Sequence, residues 1–306
     1  MDVSIIYVNY RTSGLIADSL RSVRALTQGV SYEVIVVDNN TEKSLPAEFG
    51  ALFPDIDIKY VMLDENVGFG RANNEGFKIA EGRNLFCLNP DTILLNNAIK
   101  ILSDYLDAHS DTGIVGGNLL DARMSHALSY RRFLPGVRWE INELLHMMPE
   151  KAIYGINSKY NHSDKPIDVG YITGADLMIR AKIALEVQGF HKDFFMYFEE
   201  TDLCHRVHKA GYRVVNVPQA RIQHLEGRSY DDNGFNPSRL ERNEKSRLTY
   251  YKLNRSMFIT YAANMIYGVF LLTRVLLKRS ESYKYRLRVC LLLNRINSKE
   301  REKRNS

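Results

Sequence analysis

Short apolar runs alternate with segments of helical spacing through the first 120 residues of the chain. Residues 3–8, 33–37, 58–63 and 85–88 are rich in β-branched and other apolar side chains, and each run predicts a buried strand, as does 113–117. Between them, residues 13–26, 71–80 and 98–109 repeat apolar side chains three and four positions apart, as an amphipathic helix does. This alternation with short links predicts an α/β fold with a mostly parallel sheet flanked by helices on both faces.

The pattern is less regular in the second half of the chain. Residues 124–170 predict an insertion or a mobile loop over a ligand site, and ordered structure resumes over 171–180. Residues 200–210 have helical spacing with Gly211 as a C-cap, and residues 213–217 predict a strand. Residues 245–295 read as helical throughout, which predicts a C-terminal helical extension.

Polar residues follow the predicted strands where each strand stops. They are Asn9 and Tyr10, Asp38 and Asn39, the segment 66–71, and Asn89 to Asp91. Ligands of open α/β sheets bind beyond the carboxyl ends of the strands. We therefore expect the functional site at this edge.

Charge is distributed unevenly over the 306 residues. The net charge is +5, but residues 245–306 hold 15 Lys/Arg and 3 Asp/Glu, a net charge of +12, so the remainder carries −7. A basic tail on an acidic body indicates an anionic partner, either phospholipid or nucleic acid. The three cysteines form no CxxC, which argues against a cysteine zinc site or a disulfide framework. The first residues read as a strand and not as a signal peptide, so we expect a cytosolic protein.

An uncharged stretch lies inside the basic tail. Residues 257–273 are 17 positions without charge, whereas a membrane-spanning helix needs roughly 20 apolar residues. The stretch also contains Thr260, Asn264 and two tyrosines. The composition favours a helix in the membrane interface. A buried helical hairpin packed on the α/β domain is the next alternative, and a spanning helix is the least favoured.

Several polar clusters could carry chemistry, and each also has a plain structural alternative. Asp38 could accept bonds from a base or a ribose hydroxyl, or simply form a turn. The glycines of NVGFGRANN (66–74) would let the backbone approach a ligand, and Arg71 would supply a positive fork, although a turn before a helix has the same features. Asp91 could bind a divalent cation, but Asn-Pro-Asp is also a good turn sequence.

A second set of candidates lies near the helix at 200–210. Glu199, Glu200 and Asp202 crowd three carboxylates at a helix start, where one pKa could rise to that of a general base. Helix capping, together with an Asp202–Arg206 pair at i,i+4, would explain two of the three. His224 follows the last strand, and a lone histidine is more often structural, but beside Asp91 it would complete a metal site.

Taken in order, these segments resemble the family 2 glycosyltransferases with the GT-A fold. Within that family they resemble the bacterial branch that builds surface polysaccharide, often described as rhamnosyltransferases. The resemblance covers roughly residues 3–230 and is carried by VSIIYVNY, VIVVDNN, NVGFGRANN, LNPDT, TGADLMIRA, GFHKDFFMYFEETDLCHRVHKAGYRV, and His224 with Gly227 and Ser229.

The resemblance implies roles for the nucleotide and the metal. Asp38 would bind the base or the ribose, near a strand exit formed by Asn9, Tyr10 and Arg11, while Gly68 and Arg71 would frame the nucleotide. Asn89 stands at the first position of the family's Asp-x-Asp motif. Asp91 is then the main carboxylate ligand, and His224 gains weight as a second ligand. The resemblance implies Mg²⁺ or Mn²⁺ as the metal, and an imidazole ligand slightly favours Mn²⁺.

The resemblance also implies an inverting displacement. The family has Glu-Asp-x-Asp where this chain has Glu199-Glu200-Thr201-Asp202, so the general base falls on Glu200, with Glu in place of Asp. Gly174 and Asp176 fall where the family lines the pocket for the donor sugar and the acceptor, and Glu199 and Asp202 are assigned to the same pocket.

Substrates, domains and location follow from the same resemblance. The donor would be a nucleotide diphosphate sugar, dTDP-L-rhamnose first, with UDP-galactose, UDP-glucose and UDP-N-acetylhexosamines as alternatives. The acceptor would be a glycan or a polyprenyl-diphosphate-linked glycan. Residues 1–240 would form the catalytic domain, with a nucleotide-sugar half (about 1–120) and an acceptor half (about 121–240). Residues 241–306 would hold the enzyme, cytoplasmic and peripheral, against anionic lipid at the inner face of the bacterial plasma membrane. A homodimer is compatible with the sequence.

Three other classes of protein fit less well. A nucleotidyltransferase would carry a Gly-rich, basic loop after its first strand, and VNYRTSG is a poor match. A nucleic-acid-binding tail would interleave its charges with stacking aromatics, whereas this tail interleaves them with aliphatic runs, so no nucleic acid is expected. An inactive carbohydrate-binding relative would not be expected to retain Asp91, Glu200 and His224 together.

Overall fold

The computed structural model describes residues 1–39, 45–225, 235–278 and 280–305, with side chains for all of these except 46 and 294–305. The chain divides into two compact units. The first comprises Met1–Leu134, Tyr154–Phe195 and Glu199–Asp231, and the second comprises Pro135–Ile153, Met196–Phe198 and Asp232–Ser306. The domain division predicted after residue 240 falls inside a helix, Pro237–Asn254, and stays a prediction.

Strands and helices alternate along the chain. The strands are β1 (Val3–Asn9), β2 (Tyr32–Asp38), β3 (Ile58–Met62), β4 (Asn84–Leu88), β5 (Thr92–Leu94), β6 (Thr112–Leu120), β7 (Tyr130–Arg131), β8 (Ile167–Asp168), β9 (Tyr171–Ile172), β10 (Asp176–Arg180) and β11 (Arg213–His224). The helices are α1 (Ser13–Leu26), α2 (Leu45–Leu52), α3 (Phe69–Ile79), α4 (Ala98–Ala108), α5 (Val137–Leu144), α6 (Met148–Tyr154), α7 (Ala181–Glu186), α8 (Glu199–Lys209), α9 (Pro237–Asn254), α10 (Met257–Lys278) and α11 (Glu281–Asn305), with a 3₁₀ turn at Gly155–Ser158.

The first unit is built on one mixed sheet. Across the described residues it has nine strands, in the order β3-β2-β1-β4-β10-β6-β11-β5, with β8 also paired to β11, while β7 and β9 form a separate pair. β3, β2, β1 and β4 run parallel, as do β6 and β11, whereas β10 is antiparallel to both β4 and β6. The predicted α/β fold with a mostly parallel sheet and C-terminal helices is confirmed.

Two apolar layers cover the two faces of this sheet. Alternate residues of a strand point to opposite faces, so Ile5 and Tyr7 of β1 pack under α1, α2 and α4, while Ile6 packs under α3, α7 and α8. The predicted strands and helices therefore bury the apolar stripes from which they were predicted, and the polar strand ends stay at the carboxyl edge.

Three segments differ from the sequence-based expectation. The strand β5 and the helix α2 were not predicted, because a three-residue strand and an eight-residue helix are too short for a periodic pattern to show. Residues 124–170 were expected to be an insertion or a mobile loop, yet they contain β7, α5, α6, a 3₁₀ turn and β8. The three cysteines are buried free thiols.

The second unit combines α5 with the C-terminal helices. Glu140 on α5 and Arg247 on α9 are both nearly inaccessible, and Arg247 donates to the Glu140 carboxylate at 2.7 Å. The Tyr251 hydroxyl donates to the same carboxylate at 2.7 Å. A buried charge left without its partner is strongly destabilising, so this network ties residues far apart in sequence into one helical unit.

Candidate active site

Strands β1 and β2 end side by side, with Asn9 and Asp38 in register. The Asp38 carboxylate is 1% exposed, and Asn9 Nδ2 donates to its Oδ1 at 2.7 Å. Asn9 Oδ1 in turn accepts from the backbone N–H and the hydroxyl of Thr12, both at 3.0 Å. Asp38 is therefore held in a fixed orientation at the carboxyl edge. Tyr10 and Arg11, predicted beside it, are both exposed.

The glycine turn before α3 is fixed by the chain itself. Gly68 has φ +89°, and a Cβ built there would overlap the backbone carbonyl oxygen of Phe195. The side chain of Asn39 brackets this turn, accepting from Val67 N–H at 3.1 Å and donating to Gly68 O at 3.4 Å. Gly68 was predicted to let the backbone approach a ligand, and the structure adds an internal reason for glycine. Arg71, in the first turn of α3, is exposed.

The Asn89–Asp91 turn meets His224 through a strand pair. β5 runs antiparallel to the end of β11, with Thr92 opposite His224. Asp91 Oδ1 consequently lies 3.3 Å from His224 Nε2, and Asn89 Nδ2 lies 3.5 Å from the same nitrogen. Asp91 is 4% and the His224 side chain 15% exposed. From the sequence, His224 was expected to complete a metal site only if it lay beside Asp91. The strand β5, which was not predicted, brings the two side chains together.

The Asp91–His224 pair fits a divalent metal. Two ligand atoms that share an octahedral ion at about 2.1 Å lie roughly 3 Å apart, close to the observed separation. No group of three or more His, Cys, Asp or Glu that could hold a metal occurs among the described residues. A metal here would take the rest of its ligands from phosphate oxygens and water. A carboxylate and an imidazole together suit Mn²⁺ at least as well as Mg²⁺.

Glu199 and Glu200 open α8 beside the glycine turn. They follow two consecutive residues with left-handed backbone, Tyr197 (φ +71°) and Phe198 (φ +67°), a strained conformation that clusters at functional sites. Glu199 is buried, and a Cβ built on Gly70 would lie 3.4 Å from its Cβ. Burial raises the pKa of Glu199 well above its usual range, and the neighbouring Glu200 charge raises it further.

Glu200 is the carboxylate that the sequence predicted as the general base. Its carboxyl is half-buried, and burial raises its pKa, while Thr201 Oγ1 donates to it at 3.3 Å. Gly174 is the neighbour predicted for this pocket, since a Cβ built there would lie 3.9 Å from the Glu200 Cβ and 3.6 Å from the Phe69 ring. A carboxylate with a raised pKa accepts a proton more readily than one in water.

Two other predicted carboxylates lie deeper. Asp202 is buried and pairs with Arg206 at 2.8 Å, the i,i+4 ion pair that the sequence offered as its structural explanation. Asp176 is fully buried, and its Oδ2 accepts from Gly117 N–H at 2.6 Å. Burial raises the Asp176 pKa well above its usual range, which favours a neutral carboxyl inside the sheet. Sugar contacts by Asp176 and Asp202 stay predictions.

One series of hydrogen bonds and close approaches connects ten residues along the edge of the first unit. Asn89 N–H donates to Ala175 O at 2.9 Å, which joins the Asn89–Asp91 turn to the segment carrying Gly174. The series runs through Asn9, Asp38, Asn39, Gly68, Phe69, Gly174, Glu200, Asn89, Asp91 and His224. Asn39 and Phe69 belong to it although the sequence did not single them out as site residues, and the only signal was their position in the two polar clusters. Gly227 and Ser229 lie outside the described residues.

Comparison with known proteins identifies the family and the fold of the chain. Residues 4–183 match the family described as glycosyl transferase family 2. The chain is 26% identical over 252 residues to rhamnosyltransferase WbbL of Escherichia coli K12, covering 76% of this chain and 88% of that protein. It is 25% identical over 211 residues to the N-acetylglucosaminyl-diphospho-decaprenol L-rhamnosyltransferase of Mycobacterium tuberculosis H37Rv, covering 64% and 67%. It is 24% identical to the low-salt glycan biosynthesis hexosyltransferase Agl10 of Haloferax volcanii, covering 72% of this chain and 65% of that protein's length.

Solved structures share the fold at lower identity. S. aureus TarS 1-349 in complex with UDP superposes with a TM-score of 0.56 at 14% identity, covering 92% of this chain and 74% of that chain. The mannosyltransferase PcManGT of Pyrobaculum calidifontis, in complex with GDP-Man and Mn²⁺, superposes with a TM-score of 0.57 at 14% identity, covering 94% and 84%. The fold is thus the GT-A fold, and with a family match over more than half of its length the chain belongs to glycosyl transferase family 2.

Proposed function

We propose that the protein is an inverting, metal-dependent glycosyltransferase of surface polysaccharide synthesis. It would move a sugar, dTDP-L-rhamnose being the first choice of donor, to a hydroxyl of a glycan or a lipid-linked glycan. The observation that carries the proposal is the Asp91–His224 pair on the same edge as Asp38 and Glu200. Two relatives named rhamnosyltransferases, one of them for a diphospho-decaprenol acceptor, support this choice of donor and acceptor.

Different residues of this edge bind the nucleotide, bind the metal and accept the proton. Asp38, oriented by Asn9, accepts hydrogen bonds from the base or the ribose of the donor. Asp91 and His224 would hold the divalent metal, which when bound supplies positive charge to the departing diphosphate. Glu200 takes the proton of the acceptor hydroxyl. The acceptor oxygen then forms its bond to the anomeric carbon as the bond to the phosphate oxygen breaks, its electron pair leaving with the diphosphate, so the configuration inverts.

A thermal-shift panel of dTDP- and UDP-sugars with Mg²⁺ or Mn²⁺ tests the donor. A ligand that binds only the folded protein raises the melting temperature by mass action. We expect a metal-dependent rise with dTDP-L-rhamnose that Asp91→Ala removes and Glu200→Gln keeps. A rise with UDP-hexoses alone would favour the alternative, a galactosyl-, glucosyl- or N-acetylhexosaminyltransferase. No rise with any nucleotide sugar would contradict the proposal.

We also propose that the second unit binds an anionic membrane surface. Among the described residues, α10 is the single helix that is long and apolar enough to cross a membrane by length and composition alone. Its residues Met257, Tyr261, Met265, Val269, Leu272 and Leu276 recur at helical spacing and are each 49–70% exposed, so they form one apolar stripe. Such a stripe within a segment of net charge +12 suits a helix lying on anionic lipid.

The opposite face of α10 favours a helix that lies in the membrane interface over one that spans the bilayer. Tyr267 is buried there and its hydroxyl donates to Glu244 on α9 at 2.5 Å. Arg286 on α11 donates to the same carboxylate at 2.7 Å. Charged and polar groups at the middle of a spanning helix are costly in hydrocarbon, whereas here they bind neighbouring helices of the same unit. This placement is consistent with an enzyme peripheral at the cytoplasmic face of the plasma membrane.

Vesicle flotation tests this second proposal. Phe258, Leu276 and Leu277 are 82%, 68% and 76% exposed, so replacing all three with Gln leaves the packed face intact. We expect the triple variant to lose flotation with phosphatidylglycerol vesicles. Leu185→Gln, at an 81% exposed position of the first unit, is the matched control and should float as the unmodified protein does. Equal flotation of all three proteins would overturn the proposal.

A further inference from the structure

The helical unit contains a long groove between α9, α10 and α11. Its volume is about 750 Å³, within the range of roughly 300–1,000 Å³ that small-molecule sites occupy. On α10 the lining runs from Met257 to Leu272, a length of roughly 22 Å at 1.5 Å per residue. The groove therefore suits a long ligand.

The lining changes in polarity from one end of the groove to the other. Its polar side chains gather near the junction of α9 and α10, where they are Lys252, Thr260, Tyr261 and Asn264. Farther along α10 and on α11 the lining is apolar, with Met265, Gly268, Val269, Leu272, Leu287, Cys290 and Leu291. A cationic, polar end followed by an apolar channel complements an amphiphile that has an anionic head and a hydrocarbon tail.

We propose that this groove binds the isoprenoid tail of a polyprenyl-diphosphate-linked acceptor, with Lys252 beside the diphosphate. The inference rests on the proposed function for the acceptor class, and it adds the site at which the lipid is held. The groove shares Met257, Tyr261, Met265, Val269 and Leu272 with the exposed stripe of α10, so it opens on the face proposed to lie on the membrane. An isoprenoid could enter it directly from the bilayer.

Gly268 makes the proposal testable without disturbing the fold. It lines the groove, and a Cβ built on it meets no atom within 4 Å. Gly268→Trp should therefore fill the channel, while replacing glycine inside a helix favours the helical conformation. Gly268→Ala makes the same backbone change with little added volume and is the matched control. Lys252→Glu reverses the charge at the polar end.

The measurement is calorimetric titration of the full-length protein with geranylgeranyl diphosphate. We expect Gly268→Trp and Lys252→Glu each to weaken binding by about tenfold or more, while Gly268→Ala stays within about twofold. Melting temperatures of the variants should not fall below that of the unmodified protein, and all should float with phosphatidylglycerol vesicles. Equal affinity in the unmodified protein and Gly268→Trp, or no binding by the unmodified protein, would overturn the proposal.

Two further readouts separate this proposal from others. Transfer to a saccharide acceptor without a lipid should be the same in Gly268→Trp as in the unmodified protein. If no transfer is detected even with the unmodified protein, the proposed glycosyltransferase function fails, independently of what the groove binds. If the groove instead receives a second copy of the chain, sedimentation should show a dimer that Gly268→Trp disrupts, without isoprenoid binding. That result would also overturn the proposal.

Discussion

Replacing Glu200 with Gln removes the proposed proton acceptor with little change in shape. The side chain keeps its length, and the Thr201 hydroxyl that donates to the carboxylate at 3.3 Å can donate to the amide oxygen. The neighbouring Gly174 leaves room for the isosteric change, since even a Cβ added to it would lie 3.9 Å from the Glu200 Cβ. Loss of activity would therefore report the loss of the base and not a change in packing.

The magnitude follows from the role of a general base. Such a base contributes roughly 10²- to 10⁴-fold, or about 3–5 kcal/mol of transition-state stabilisation, so kcat should fall by that factor. Binding of the donor nucleotide should be unchanged, since the proposed role of Glu200 is to take a proton from the acceptor. Glu200→Asp should keep part of the activity because it retains a carboxylate.

The pH dependence is a sharper test. The base works only when deprotonated, and burial raises its pKa, so kcat/KM of the unmodified enzyme should fall as pH drops through that raised value, above the usual range of a glutamate. Glu200→Gln should lose this acidic limb, whereas Glu199→Gln should keep it at a shifted pH, because the Glu199 and Glu200 charges interact. Initial rates of sugar transfer across pH provide the measurement. Full activity of Glu200→Gln, or an unchanged acidic limb, would refute the assignment.

Three other outcomes are expected. His224→Ala should weaken Mn²⁺-dependent binding of the donor nucleotide by at least roughly tenfold in calorimetric titration. Removing even a side chain that only hydrogen-bonds to a metal ligand typically weakens metal binding by that factor, and equal affinity would show that His224 does not bind the metal. Gly68→Ala should destabilise the protein by about 1–3 kcal/mol in urea unfolding, because its φ of +89° and the carbonyl beside it exclude a side chain; Gly14→Ala, in open space, should not. Glu140→Gln should cost about 3–5 kcal/mol in the same assay by leaving Arg247 buried without its carboxylate partner, and an unchanged midpoint would contradict this.

The elements of the α/β unit and the family could both be predicted from the amino-acid sequence. The helix predicted over residues 13–26 is the observed α1, and the predicted strands lie within β1, β2, β4, β6 and β11, with the third extending one residue past β3. These predictions succeeded because apolar periodicity is a local property, set by which face of each element meets the core. The same locality placed Asn9, Asp38 and Asn89 at strand ends, on the edge where ligands of such sheets bind.

Which of these residues meet depends on the tertiary structure. Asn89 and His224 are 135 residues apart, and they meet because β5 pairs with the end of β11, a contact that no local pattern encodes. The tertiary structure likewise buried Asp176 inside the sheet, although in the sequence it looks as available as Glu200. The Asp202–Arg206 pair is by contrast a local i,i+4 contact, which the sequence already offered. Register and burial depend on how distant segments pack, so the exposure of a carboxylate and its pKa follow from the assembled sheet and not from its neighbours in sequence.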